Sequence, residues 1–173
     1  IRLDIGVLSK RAQVIGNDVT VRTGIEEADE QSSEIATFTT IIRYFLLSFA
    51  GIALFLVGFL FEAVGDAQLA NFRANPANRG KVCDAGLWRY SRHPNYFGDA
   101  TLWWGFYLVA CGVPGGAWTV ASPLVMTVLL LKVSGVALLE RGLTSTKPGY
   151  AEYIARTNAF VPWFPRRVAK RPA

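Results

Sequence analysis

Tyr44-Phe-Leu-Leu-Ser-Phe-Ala-Gly-Ile-Ala-Leu-Phe-Leu-Val-Gly-Phe-Leu-Phe-Glu-Ala-Val64 decides the fold of this chain. Its single charge, Glu62, lies near its end. Wound as an α-helix rising about 1.5 Å per residue, it reaches across a hydrocarbon core of roughly 30 Å. Two further apolar blocks follow. Tyr96–Val113 carries Asp99 near its start, and Ala117–Leu139 carries Lys132. Any one of these suits the buried helix of a soluble protein. Three in 173 residues, with 51% of all residues hydrophobic, argue for an integral membrane protein. The expected architecture is all-α: a membrane helical bundle of about three transmembrane helices with additional interfacial helices.

Charge orients the bundle. Residues 65–95 hold Arg73, Arg79, Lys81, Arg89 and Arg92 against Asp66 and Asp84. Residues 140–173 hold seven basic side chains against Glu140 and Glu152. A Pro114-Gly115-Gly116 turn between the second and third blocks returns both segments to one side. Both are net positive, so that side is expected to be cytoplasmic, in the inner membrane if the source is bacterial. Cys83 and Cys111 fall at opposite faces, out of disulfide range, and no metal-ligand spacing is present.

Residues 1–40 form a separate polar segment, distinct from a membrane domain at 41–173. Val19-Thr-Val-Arg-Thr-Gly24 reads as a short strand or a loop, and Glu26–Glu34 as an acidic, mobile stretch. The first membrane helix is expected to run past Val64, because Glu62, Asp66 and Arg73 share one helical face. Asn75-Pro76 breaks it, and Asn78-Arg79-Gly80-Lys81 reads as a turn.

The chemistry gathers in Gly86-Leu-Trp-Arg-Tyr-Ser-Arg-His-Pro-Asn-Tyr-Phe-Gly-Asp99, at the mouth of the second block. Ionisable groups are costly there and point to a function; a positive-inside loop with an aromatic belt is the plainer reading. Pro94 suits the first turn of a helix, whose free N–H groups favour an anion. Arg92 and His93 just before it complete a candidate phosphate seat. Glu140 and Arg141, expected to end the third helix on the same face, should approach Asn95 and Asp99; an ordinary structural ion pair is equally consistent with them. Pro148–Asn158 reads as a short amphipathic helix with Tyr150 and Tyr153. Phe160–Pro165 reads as an interfacial clamp, and Arg166–Arg171 as a basic tail suited to anionic headgroups. No nucleic-acid-binding motif is present, nor a glycine-rich nucleotide loop.

Asp66-x-Gln-x-x-x-Phe-Arg73, Asn78-Arg-Gly-Lys81, the Gly86–Asp99 run and Trp103-Trp-Gly together resemble the C-terminal half of the membrane steroid reductase superfamily, nearest its little-characterised bacterial branch. Leu139-Glu-Arg141, Pro148-Gly-Tyr150, Tyr153 and Pro162-Trp163 extend the resemblance over roughly residues 44–165. It implies NADPH-dependent reduction of a carbon–carbon double bond in a steroid-like or other lipid substrate. The implied cofactor contacts are Asp66, Arg73, Asn95 and Asp99, with Arg92, His93, Tyr96, Glu140 and Arg141 nearby, around a pocket open to the cytoplasm. The family carries further membrane helices before the matching region, holding much of its substrate cavity and its proton donor. Residues 1–40 hold no such helices. No catalytic acid is therefore assigned, and a further chain or missing N-terminal helices are expected to complete the cavity. Membrane methyltransferases using S-adenosylmethionine share the weaker Arg-His-Pro-x-Tyr element. Charge separates the two readings, because NADPH carries several phosphate charges that require Arg or Lys partners, whereas a sulfonium favours carboxylates and aromatics. A non-catalytic membrane scaffold is the third alternative.

Overall fold

The computed structural model describes residues 5–133 and 136–167. The chain divides into two compact units, Ile1–Arg43 and Tyr44–Ala173. Five α-helices are present among the described residues: α1 (Ile5–Ala74), α2 (Pro94–Ala110), α3 (Ala121–Val128), α4 (Val136–Thr146) and α5 (Tyr150–Arg156). The fold is all-α. The described residues contain no strand, only an isolated parallel bridge between Ser91 and Asn158.

In the first unit, the expected strand or loop at 19–24 and the acidic stretch at 26–34 are both helical, within α1. The first proline of the chain is Pro76, so nothing before it interrupts helical hydrogen bonding. The polar residues are accommodated by bonding back to the helix. Ser33, Thr37, Thr39 and Thr40 each donate a hydroxyl to a carbonyl three or four residues earlier.

In the second unit α1 continues over residues 44–74 and stops one residue before Asn75-Pro76. Asn75 caps the short 3₁₀ turn that follows by accepting the Ala77 N–H at 3.0 Å. Gly80, at φ 78°, closes the expected turn through the Lys81 N–H to Asn78 carbonyl bond.

Two stretches, Ile25–Ala74 and Gly116–Thr144, are long and apolar enough to cross a membrane. The helix over the second apolar block, α2, has 17 residues. At about 1.5 Å per residue it falls short of a full crossing by roughly a turn. The third block is not one regular helix. It begins as a 3₁₀ turn over Gly116–Val120, becomes α3, and widens to a π-helical segment at Leu129–Val133 before α4. Glu140 and Arg141 were expected to end it, but α4 runs on to Thr146. Thr144 and Thr146 hydroxyls bond the Glu140 and Gly142 carbonyls at 2.7 Å, and the helix ends just before Pro148.

The packing of α1 against α2 follows from glycines. Gly51, Gly58 and Gly65 recur every seventh residue on α1, and Gly98, Gly105 and Gly112 do the same from α2 onward. The two rows meet antiparallel. A methyl group built at Gly58 would lie 2.6 Å from the Gly98 carbonyl oxygen and 2.5 Å from the Leu102 nitrogen. One at Gly105 would lie 2.7 Å from the Gly51 carbonyl oxygen. The two backbones therefore touch, as in membrane helix pairs whose small residues permit close approach. This seam fixes the N-terminal end of α2 beside Gly65, where a methyl would meet the Asn95 nitrogen at 3.2 Å.

Candidate functional site

The loop between α1 and α2 is fastened to α1 at two points. Trp88, buried, donates its indole N–H to the Gly65 carbonyl at 2.9 Å. The Gln68 side chain accepts the Leu87 N–H at 2.9 Å. Gly86 lies directly against that Gln68 amide at φ 59°, a position that a side chain could occupy only by displacing the amide. The loop thereby comes to lie beside the α1 residues Asp66 and Arg73.

The chain next meets its own C-terminal segment. Arg92 N–H bonds the Asn158 carbonyl at 2.9 Å, and Trp163 N–H bonds the Tyr90 carbonyl at 2.9 Å. Ser91 donates its hydroxyl to the Phe160 carbonyl at 2.7 Å and accepts the His93 N–H at 3.1 Å. Tyr153 of α5 is fully buried, and its hydroxyl reaches the carbonyls of both Trp88 and Ser91. Desolvation holds that phenol protonated far above the ordinary tyrosine range.

Arg92 is the centre of this network. Its guanidinium grips Glu140 with two bonds, Nε to Oε1 at 2.7 Å and Nη2 to Oε2 at 3.0 Å. Nη1 donates to the carbonyls of Ile154, at 3.2 Å, and Thr157. Four of five donors are thus engaged, and the residue is 9% exposed. His93 presents Nε2 to the same Glu140 oxygen at 3.1 Å and stacks on Tyr96 at 5.5 Å between ring centroids. Burial holds the His93 imidazole below its ordinary pKa, against the opposing pull of Glu140. A neutral imidazole donating Nε2–H to that carboxylate fits both facts.

At the start of α2, Pro94 is buried in the first turn. Asn95 donates Nδ2 to Asp66 Oδ1 at 2.8 Å. Its own carbonyl oxygen is buried and has no hydrogen-bond partner among the described residues. An acceptor left so costs about 1–3 kcal/mol, which makes Asn95 a candidate ligand contact.

These elements enclose a cavity of about 380 Å³, within the usual size of small-molecule sites. Of the sequence-predicted residues, Asp66, Arg73, Arg92, His93, Asn95 and Tyr96 line it. Asp99, Glu140 and Arg141 do not. Glu140 stands behind Arg92 and His93 and holds them. Arg141 is exposed on α4. Asp99 lies further along α2, near enough to Glu62 for their charges to repel. The four-residue junction expected of Asn95, Asp99, Glu140 and Arg141 is therefore replaced by two separate pairings, Asn95 with Asp66 and Glu140 with Arg92.

Sequence reasoning passed over Lys147, Tyr150 and Cys83 as cavity residues. Lys147 follows α4 in a stretch with no local motif for a site. Tyr150 carried the signal of an amphipathic helix and a place in the Pro148-Gly-Tyr150 element, neither of which gives it a role in the site. Cys83 is buried, which pushes its thiol pKa up, while Lys147 and Arg73 are both close enough to pull it down. No ion pair joins Arg73 or Lys147 to a carboxylate among the described residues. The cavity thus has two available cations, while its lining carboxylate, Asp66, is occupied with Asn95. No cluster able to hold a metal ion occurs among the described residues.

A family model described as a protein of unknown function, DUF1295, matches residues 32–157. The 3-oxo-5-alpha-steroid 4-dehydrogenase 1 of Bos taurus is 34% identical over 70 residues, covering 40% of this chain. The matched portion spans about a quarter, 27%, of that relative's length. No solved structure matches. With the family model covering well over half of its length, the chain belongs to the DUF1295 family and is steroid 5-alpha-reductase-like.

Proposed function

We propose that this protein is an NADPH-dependent membrane oxidoreductase that reduces a carbon–carbon double bond in a steroid-like or other lipid substrate. The observation that carries the reading is the cavity at the loop end of the α1–α2 seam. It combines two cations free of carboxylate partners, a neutral amide acceptor without a partner, and a family relationship to a steroid dehydrogenase. These groups fit an anionic dinucleotide. Bound there, NADPH would supply the hydride. Arg73 and Lys147 would bind phosphate oxygens. The Asn95 carbonyl would accept from an amide or hydroxyl of the cofactor, while Asp66 holds the other end of that side chain. Arg92, Glu140 and His93 would act by keeping the start of α2 in place. The site would open to the cytoplasm and the lipid substrate would arrive from the bilayer, with membrane lipids around it. Completion of the lipid cavity by a further chain or by additional helices belongs to the same proposal.

Binding of NADPH and of S-adenosylmethionine to the purified protein in lipid nanodiscs tests this. NADPH should bind and S-adenosylmethionine should not. Arg73→Ala should weaken NADPH binding by about 1.5–3 kcal/mol, the scale of a hydrogen bond to a charged group, without lowering the melting temperature. Tight binding of S-adenosylmethionine with none of NADPH would replace the reductase by a methyltransferase.

A further inference from the structure

Tyr150 and Tyr153 lie almost one turn apart on α5, and both are nearly inaccessible, at 4% and 2%. Their hydroxyls have opposite fates. That of Tyr153 is taken up by the carbonyls of Trp88 and Ser91. That of Tyr150 has no hydrogen-bond partner among the described residues, although its ring lies within the cavity wall. A phenylalanine would pack there equally well, without a polar atom to satisfy. Burial and the nearby negative charge of Glu140 push the Tyr150 pKa up to about 12, so the group is a neutral donor at any ordinary pH.

The backbone explains how Tyr150 comes to stand beside Lys147. Lys147-Pro-Gly-Tyr150 is a tight turn closed by the Tyr150 N–H to Lys147 carbonyl bond at 3.2 Å. Gly149 has φ 82° and ψ −4°, the third-position geometry of a type II turn, which calls for glycine. Pro148 fixes the second position. Such a turn brings its first and last residues together, and both of these line the same cavity. The Lys147 ammonium is steadied by the Lys81 carbonyl at 3.2 Å, which leaves two of its three protons to offer. Arg73, on α1, lines the same cavity.

We infer that the Lys147-Pro-Gly-Tyr150 turn is a phosphoryl-binding subsite, in which the Lys147 ammonium and the Tyr150 hydroxyl together donate to the oxygens of one phosphate of the bound nucleotide. This rests on the nucleotide reading above and gives a role to Lys147, which no motif names, and to Tyr150, which the resemblance includes only as part of Pro148-Gly-Tyr150, with no role attached. The phosphate is either a ribose monoester or the bridging diphosphate, and the two are separable by ligand.

The test uses the full chain in nanodiscs, titrated with adenosine 2′,5′-bisphosphate, with ADP and with NADPH, for the wild type, Tyr150→Phe and Lys147→Met. Tyr150→Phe should keep the wild-type melting temperature, because its hydroxyl has no hydrogen-bond partner among the described residues, whereas Tyr153→Phe should lower it. Each cavity variant should lose roughly tenfold in NADPH affinity, the scale of a hydrogen bond to a charged group. A matching loss confined to the bisphosphate assigns the subsite to a ribose phosphate, and one confined to ADP assigns it to the diphosphate. A wild type that binds NADPH, with both variants unchanged for all three ligands, overturns the subsite and leaves the reductase reading standing. A wild type that binds none of the three overturns both.

Discussion

The α1–α2 seam and the loop end of the molecule are held by opposite means. Along the seam, six glycines remove side chains so that backbone meets backbone. At the loop end, Arg92, Ser91 and Tyr153 donate to the carbonyls of Ile154, Thr157, Phe160 and Trp88 and to the Glu140 carboxylate. The seam depends on close backbone approach, so it fails by steric intrusion. The loop end depends on buried polar partners, so it fails by leaving one of them alone. Between the two sits Asn95, seated at the end of the seam by Gly65 and carrying an acceptor that the network does not satisfy. Where both kinds of order are complete, one orphan polar atom is informative.

The largest expected effect is on the seam. Gly98→Leu would drive a branched side chain into the Gly58 carbonyl and the Glu62 nitrogen. The cost should exceed the usual overpacking range of about 1–3 kcal/mol, because backbone rather than a side chain must move. Loss of folded protein in detergent, by size-exclusion profile and proteolysis, is the expected readout; a normally folded Gly98→Leu would show that the helices do not touch there. Next is the network. Glu140→Ala strands the Arg92 charge in a buried site and should destabilise by about 3–5 kcal/mol, whereas Arg141→Ala, one residue on and exposed, should leave the melting temperature unchanged. Equal effects from the two would dissolve the distinction drawn between them. The smallest effect concerns His93. Its imidazole is held below its ordinary pKa of 6.5 by burial. The unfolded chain therefore takes up the proton first as pH falls, and the stability that neutral His93 contributes is complete above about pH 6.5 and is lost below it. A shallow fall in melting temperature between about pH 7 and pH 5 should flatten in His93→Gln. An unchanged slope would place the pH response elsewhere.

Hydropathy and loop chemistry made the membrane helices, the break at Asn75-Pro76, the glycine turns and the start of α2 at Pro94 legible in the sequence. Periodicity placed Asp66 and Arg73 on one face, and both line the cavity. Other features were hidden for physical reasons. The glycine seam is invisible to a hydropathy scale that counts glycine as nearly neutral. The helix through residues 5–43 was missed because a run rich in Ser, Thr and acidic residues scores as loop, while the absence of proline and the back-bonding hydroxyls carry little weight in such a reading. Glu140 and Arg141 are adjacent in sequence and so seemed a unit. On a helix, neighbours point about 100° apart, and only Glu140 faces Arg92.

Arg92 also sets an order of events during synthesis. Its carboxylate partner lies 48 residues later in the chain, and the Thr157 carbonyl lies 65 residues later. At about 5–20 residues per second, the ribosome delivers Glu140 several seconds after Arg92 has emerged, and Thr157 later still. Throughout that interval the guanidinium has neither partner, and water or lipid headgroups must serve in their place. The start of α2 is thus made well before the partners that finish it, so a nascent chain arrested before residue 157 holds its seam glycines but not its closed cavity.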